Sequence, residues 1–119
     1  MKLRVAKLDA FFYPDVMVSC GIALDQTKAF IADAQLVIEV LSPGTEKVDR
    51  DLKLKAYRKL PSLQEYVLVS QEHRQVELYR RGPDVGWTYL SCEGDETIKL
   101  ESVGLKLPLR TIYADTKVV

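Results

Sequence analysis

The chain is 119 residues long, 47% hydrophobic and 29% charged, which supplies apolar material for one core and too little polar bias for disorder. Seventeen basic residues cancel seventeen acidic ones, which excludes attraction of nucleic acid by overall charge and leaves that task to a local patch or a bound cation. No apolar run approaches the roughly 20 residues that span a bilayer, so a cytoplasmic protein without membrane contact is the expectation.

Taken in order, Lys2 to Lys7 alternates weakly, as an edge strand does. Asp9 to Tyr13 carries aromatic bulk into Pro14, which lacks an N–H for a ladder and marks a strand entrance or bulge. Val16 to Cys20 reads as a short strand, and Gly21 to Asp33 as a loop with at most one helical turn. Leu36 to Leu41 is the strongest strand signal: five aliphatics interrupted by Glu39, the pattern of a central strand covered on both faces. A carboxylate set among aliphatics is costly unless something cationic meets it.

Pro43-Gly44-Thr45 turns the chain into a helix over Glu46 to Leu60, with Val48, Leu52, Ala56 and Leu60 as its expected buried stripe and Pro61 as its stop. Ser62-Leu63-Gln64-Glu65 has capping-box spacing, so a short second helix is expected from Ser62. Tyr66 to Val69 and Val76 to Tyr79 read as a hairpin closed by Gln71 to Arg74. Trp87 to Leu90 and Thr97 to Leu100 are further strands, and the alternating leucines 105, 107 and 109 pack the tail back on the sheet. Trp87 and Tyr89 are expected in the core, and His73 in solvent. Cys20 and Cys92 lack metal-site spacing and are expected to be unlinked thiols. No linker or repeat divides the chain, so residues 1–119 form a single domain.

The chemistry concentrates between Tyr13 and Tyr57. Asp15 at the mouth of one strand and Glu39 inside the next are hard oxygen donors of the kind that hold magnesium, and adjacent strands would bring them to one sheet edge. Asp49, Lys53 and Tyr57 recur every fourth residue and share a helix face, which would deliver an ammonium to the two acids. Each has an ordinary reading beside this one. Asp15 suits a Pro-Asp turn, Glu39 a structural ion pair, Lys53 and Asp49 a surface salt bridge, and Ser42 a turn. The stretch Lys47 to Lys59 is locally basic, and Arg50, Lys55 and Arg58 are candidates for contact with a DNA backbone.

These segments together resemble the putative restriction endonuclease family of the PD-(D/E)XK nuclease-like superfamily. Tyr13-Pro14-Asp15-Val16 is similar to its Pro-Asp motif, and Ile38-Glu39-Val40-Leu41-Ser42-Pro43 to its Glu-Val-x-Ser motif. Asp49, Lys53 and Tyr57 fall where its helical Asp, Lys and Tyr recur. Pro61 to Val69, Val76 to Tyr79 and Leu105 to Tyr113 extend the likeness over nearly the whole chain.

The resemblance implies an α/β, restriction-endonuclease-like mixed sheet with one main flanking helix. It implies Asp15 and Glu39 as ligands of magnesium, with manganese as substitute, and Lys53 as the catalytic amine, since the superfamily's usual lysine position is Leu41. Asp49, Tyr57 and Ser42 would support them, and DNA would be the substrate. Family members begin with an extra region bearing a helix, so the domain looks truncated at its N-terminus. An uncovered sheet face would then favour a homodimer. The alternative is a catalytically inactive nuclease-like protein acting as a structural or interaction module. A third reading is a binding module that uses the basic helix on phosphates.

Overall fold

The computed structural model describes residues 2–5, 10–12, 16–19, 30–31, 33–41, 46–84, 86–116 and 118. Side chains are described within the main helix from Leu52 onward. Asp15, Ser42, Cys20 and most of the expected loop from Gly21 lie outside these residues, as do the side chains of Val48, Asp49 and Arg50.

Alternation of small and β-branched residues over Ala34 to Val40 makes strand β5 (Ala34–Val40), and the turn chemistry after it leads into helix α1 (Glu46–Arg58). The chain returns as β6 (Glu65–Val69), parallel to β5 with Val37 opposite Tyr66 and Glu39 opposite Leu68. A parallel return requires a crossover, and α1 is that crossover. β3 (Val16–Ser19) pairs antiparallel with the other side of β5, Val16 opposite Ile38. Strands β7 (Gln75–Arg81) and β8 (Trp87–Glu93) complete a mixed five-stranded sheet in the order β3-β5-β6-β7-β8. A three-stranded sheet joins β1 (Lys2–Val5), β2 (Ala10–Phe12) and β4 (Phe30–Ile31). A third, two-stranded sheet pairs β9 (Thr97–Leu100) with β10 (Leu105–Pro108), before the short helix α2 (Leu109–Ile112).

The central strands of the five-stranded sheet are covered on both sides, which explains the near-continuous hydrophobicity of β5 and β6. On one face Val37, Tyr66 and Leu68 pack with Tyr57, Leu60 and Leu63. On the other, Leu36, Val67, Val76 and Leu78 pack with Ile98, Leu100, Leu109 and Tyr113. Glu65 tethers the second layer. Its buried carboxylate accepts the Ser102 N–H (2.7 Å), the Ser102 hydroxyl (2.5 Å), the Glu101 N–H (3.2 Å) and Arg80 Nε (3.0 Å). The Tyr113 hydroxyl donates to the Ser70 carbonyl at 2.7 Å and accepts the Gln75 N–H at 3.3 Å, fastening the β6–β7 turn.

Three expectations are corrected. Leu52 is not part of the buried stripe: it is 63% exposed, while Ala56, Tyr57 and Leu60 are buried. The contact face of α1 runs through Tyr57, because its hydroxyl and the Lys53 ammonium both find a polar partner in the sheet. No helix starts at Ser62. The Ser62 hydroxyl donates to the Ala34 carbonyl at 2.8 Å, and Glu65 enters β6 with its carboxylate spent on residues 101–102, so neither half of a capping box is available. Tyr89 is 48% exposed instead of buried, since α1 covers β5 and β6 but not the outer strand; Trp87 lies half-buried at the core margin.

Candidate functional site

Alternation along β5 points Val37 and Glu39 toward α1, while Leu36 and Ile38 turn to the other layer. Glu39 is thereby carried beneath the helix and is only 4% exposed. Three groups meet it there. Lys53 Nζ is 3.1 Å from Oε1, the Tyr57 hydroxyl donates to Oε1 at 3.1 Å, and the Tyr66 hydroxyl donates to Oε2 at 2.8 Å. Lys53 and Tyr57 reach the same oxygen because residues four apart on a helix stack on one face. Lys53 keeps a third of its side chain in solvent while its ammonium meets the buried carboxylate.

Tyr57 and Tyr66 meet edge to face with centroids 5.0 Å apart, which fixes both phenols as they converge on the carboxylate. The ring series continues through Tyr79 to Tyr89, at 6.3 and 5.1 Å. Along the ladder Glu39 faces Leu68, Leu68 faces Glu77, and directly opposed residues share a face. Glu77 is therefore a second buried carboxylate on the site's side of the sheet, and the Tyr89 hydroxyl donates to it at 2.5 Å. Burial first, and then this bond to Glu77, push the Tyr89 phenol up to about 12.

Among the predicted site residues, Glu39, Lys53 and Tyr57 are brought together. Lys55 and Arg58 lie on the exposed side of α1. Asp15 and Ser42, and the side chains of Asp49 and Arg50, lie outside the described residues; Val16, next to Asp15 in sequence, pairs with Ile38, next to Glu39. Tyr66 and Glu77 were missed. The signal for Tyr66 was its register: in a strand-helix-strand unit with Glu39 facing the helix, alternation puts Tyr66 and Leu68 on that same face. Glu77 carries the same alternation one strand further.

The donor chemistry fits a hard cation. Both oxygens of Glu39 are of the hard donor type that a divalent ion prefers, and each already accepts from a neighbouring side chain. Among the described residues, no three acids, histidines or cysteines cluster closely enough to hold a metal by themselves. A second acid must come from elsewhere for a complete coordination shell.

Comparison with known proteins places the chain by class first. It matches the model of the Uma2 family, described as "Putative restriction endonuclease", over residues 1–110, and it belongs to that family. Particular relatives are two uncharacterised proteins of Synechocystis sp. The chain is 34% identical to slr1290 over 113 residues, covering 95% of this chain and 60% of that protein. It is 34% identical to sll1609 over 97 residues, covering 80% and 55%. The crystal structure of a putative nuclease belonging to DUF820 from Anabaena variabilis superposes with a TM-score of 0.70 at 19% identity, over 95% of this chain and 64% of that one. This likeness establishes the nuclease-like fold. The chain thus spans under two thirds of the length of each of these relatives.

Proposed function

We propose that the protein is a magnesium-dependent endonuclease that hydrolyses DNA phosphodiester bonds in the cytoplasm. The observation that carries this reading is the approach of Lys53 Nζ to Glu39 Oε1 at 3.1 Å, beneath a helix that also exposes Lys55 and Arg58. In this reading Glu39 and Asp15 hold the ion, which supplies a water acidic enough to attack at neutral pH and offsets charge on the phosphoryl oxygens. Lys53 stabilises the charge growing on the phosphate, or orients the attacking water. Tyr57 and Tyr66 hold Glu39 in one rotamer, and Asp49 and Ser42 complete the supporting set. Arg50, Lys55 and Arg58 bind flanking phosphates. Manganese substitutes for magnesium, and the active species is a homodimer.

Family membership and the nuclease-like fold support this reading. The test is cleavage of supercoiled DNA with magnesium or manganese by the wild type, Glu39→Ala and Lys53→Ala. Metal-dependent nicking by the wild type that both variants lose supports it; equal activity in all three overturns it.

One observation favours a second reading, a catalytically inactive interaction module on the nuclease scaffold. Glu39 already accepts from Tyr57, Tyr66 and Lys53, so its charge is met inside the protein. Calorimetric titration with manganese separates the two: negligible heat for both wild type and Glu39→Ala selects the inactive module.

A further inference from the structure

Strand β8 closes one side of the five-stranded sheet, and among the described residues no strand pairs with its outer side. Its hydrogen-bonding parity follows from the two ends of its ladder with β7. Gly82 N donates to the Gly86 carbonyl at 2.9 Å and Gly94 N to the Arg74 carbonyl at 3.1 Å, in the same register that pairs Arg81 with Trp87 and Gln75 with Glu93. Antiparallel ladders alternate bonded and non-bonded pairs, so Thr88, Leu90 and Cys92 face β7. The N–H and C=O groups of Trp87, Tyr89, Ser91 and Glu93 point outward from the sheet.

An outward row of main-chain groups on a strand seven residues long invites another strand, and proteins guard such edges with lysine, proline, bulges or a covering element. Trp87 to Cys92 contains no charge, proline or glycine. It also exposes an apolar residue on each face, Tyr89 at 48% and Leu90 at 42%. The end of the strand is guarded at both main-chain groups of Glu93: Glu96 Oε1 accepts the Glu93 N–H at 3.2 Å, and the Glu93 carbonyl accepts the Glu96 N–H at 3.2 Å.

We propose that β8 is the interface of a homodimer, in which two copies of the strand pair antiparallel about a two-fold axis through Leu90 and join the two sheets. This register is singled out because it uses all seven residues. It sets Tyr89 against Ser91 of the partner subunit and Trp87 against Glu93 of the partner subunit, all of them outward-facing positions, for roughly four ladder hydrogen bonds at the two Tyr89–Ser91 pairs and more at the ends where Glu93 releases Glu96. It also matches charge. The Arg81 guanidinium lies 4.5 Å from the centre of the Trp87 ring, so the carboxylate of Glu93 of the partner subunit would arrive beside a cation, twice in the dimer. Shifting the pairing so that Tyr89 meets its own copy leaves Glu93 without an opposite number in the strand. The inference takes up the homodimer of the proposed function and gives it an interface; mass tests the interface and DNA nicking tests the nuclease, so the two can fail separately.

The experiment is sedimentation equilibrium of the 119-residue chain over a wide concentration range, together with oxidative cross-linking of Leu90→Cys and peptide mapping of the link. The wild type is expected at the mass of two chains and Leu90→Lys at the mass of one, with its circular dichroism unchanged because the position is exposed. Glu96→Ala frees the Glu93 amide and is expected to tighten the dimer several-fold. In a Cys92→Ser background, which removes the native thiol from the same peptide, Leu90→Cys is expected to yield a link between two copies of the peptide containing position 90, because a non-bonded pair on the axis lies within disulfide reach. Where Leu90→Lys fails to fold, the cross-link decides. A wild type at single-chain mass throughout, or a two-chain mass with no link at position 90, overturns the proposal.

Discussion

The Lys53 ammonium and the Glu39 carboxylate lie 3.1 Å apart, one held by the crossover helix and the other by the strand beneath it. Because Glu39 is buried and Lys53 is a third exposed, the two ends of this pair differ in what they stabilise. Lys53→Met leaves Glu39 with its two tyrosine donors and should cost about 1–2 kcal/mol in urea unfolding. Glu39→Ala leaves two phenols and an ammonium facing a void and should cost more, about 2–4 kcal/mol. In a double-mutant cycle the pair should show a coupling of about 0.5–2 kcal/mol. Additive effects would mean that the two groups do not interact in solution.

The tyrosines around Glu39 should divide by distance and burial. Tyr66→Phe removes the 2.8 Å donor to Oε2 and should destabilise by about 1–2 kcal/mol, with Tyr57→Phe somewhat milder at 3.1 Å. Both variants keep the ring that packs edge to face with its neighbour. If Glu39 binds metal, each should also weaken manganese binding measured by calorimetry, by roughly 10-fold or more, because groups that orient a ligand tune its affinity.

Much of this site was legible because its cost was legible. A glutamate among the aliphatics of Leu36 to Leu41 demanded a cation, and the four-residue spacing of Lys53 and Tyr57 supplied one candidate face. The central place of β5 in its sheet followed from the same hydrophobic run. What failed were positions where local pattern and tertiary demand disagree. Leu52 fits an aliphatic stripe, yet the helix rotates to bring Tyr57 and Lys53 to Glu39. Ser62 and Glu65 fit a capping box, but Glu65 satisfies the backbone of residues 101–102, a partner more than thirty residues away that no local pattern contains. Tyr89 looks like core from its strand, and only the width of the helical layer shows that the outer strand stays open.

Glu65 gives a sharp stability prediction. Its two oxygens accept two N–H groups, one hydroxyl and Arg80 Nε, while Arg80 Nη2 donates onward to the Lys99 carbonyl at 2.7 Å. Glu65→Gln replaces one acceptor oxygen by a donor facing donors, and should cost about 2–4 kcal/mol in chemical unfolding. Hydrogen exchange should speed first at residues 101–102, whose amides lose their acceptor. Unchanged protection there would show that the β9–β10 layer is held by packing alone.

Tyr89 should make the protein sensitive to alkali. Its phenol rises from 10.0 to about 12 in the native state, through burial and then through its bond to Glu77. Between these two values the unfolded chain has lost the proton while the folded chain keeps it, so the native state binds more protons. Stability is then full below about pH 10 and falls as pH climbs toward 12. The phenol is half exposed, so solvent screening limits the size of the effect. Tyr89→Phe removes the titrating group, and its unfolding midpoint should fall less steeply than that of the wild type across this range. Absorbance at the phenolate band should likewise show one tyrosine fewer titrating late, whereas identical alkaline slopes for the two proteins would place the Tyr89 hydroxyl in solvent, away from Glu77.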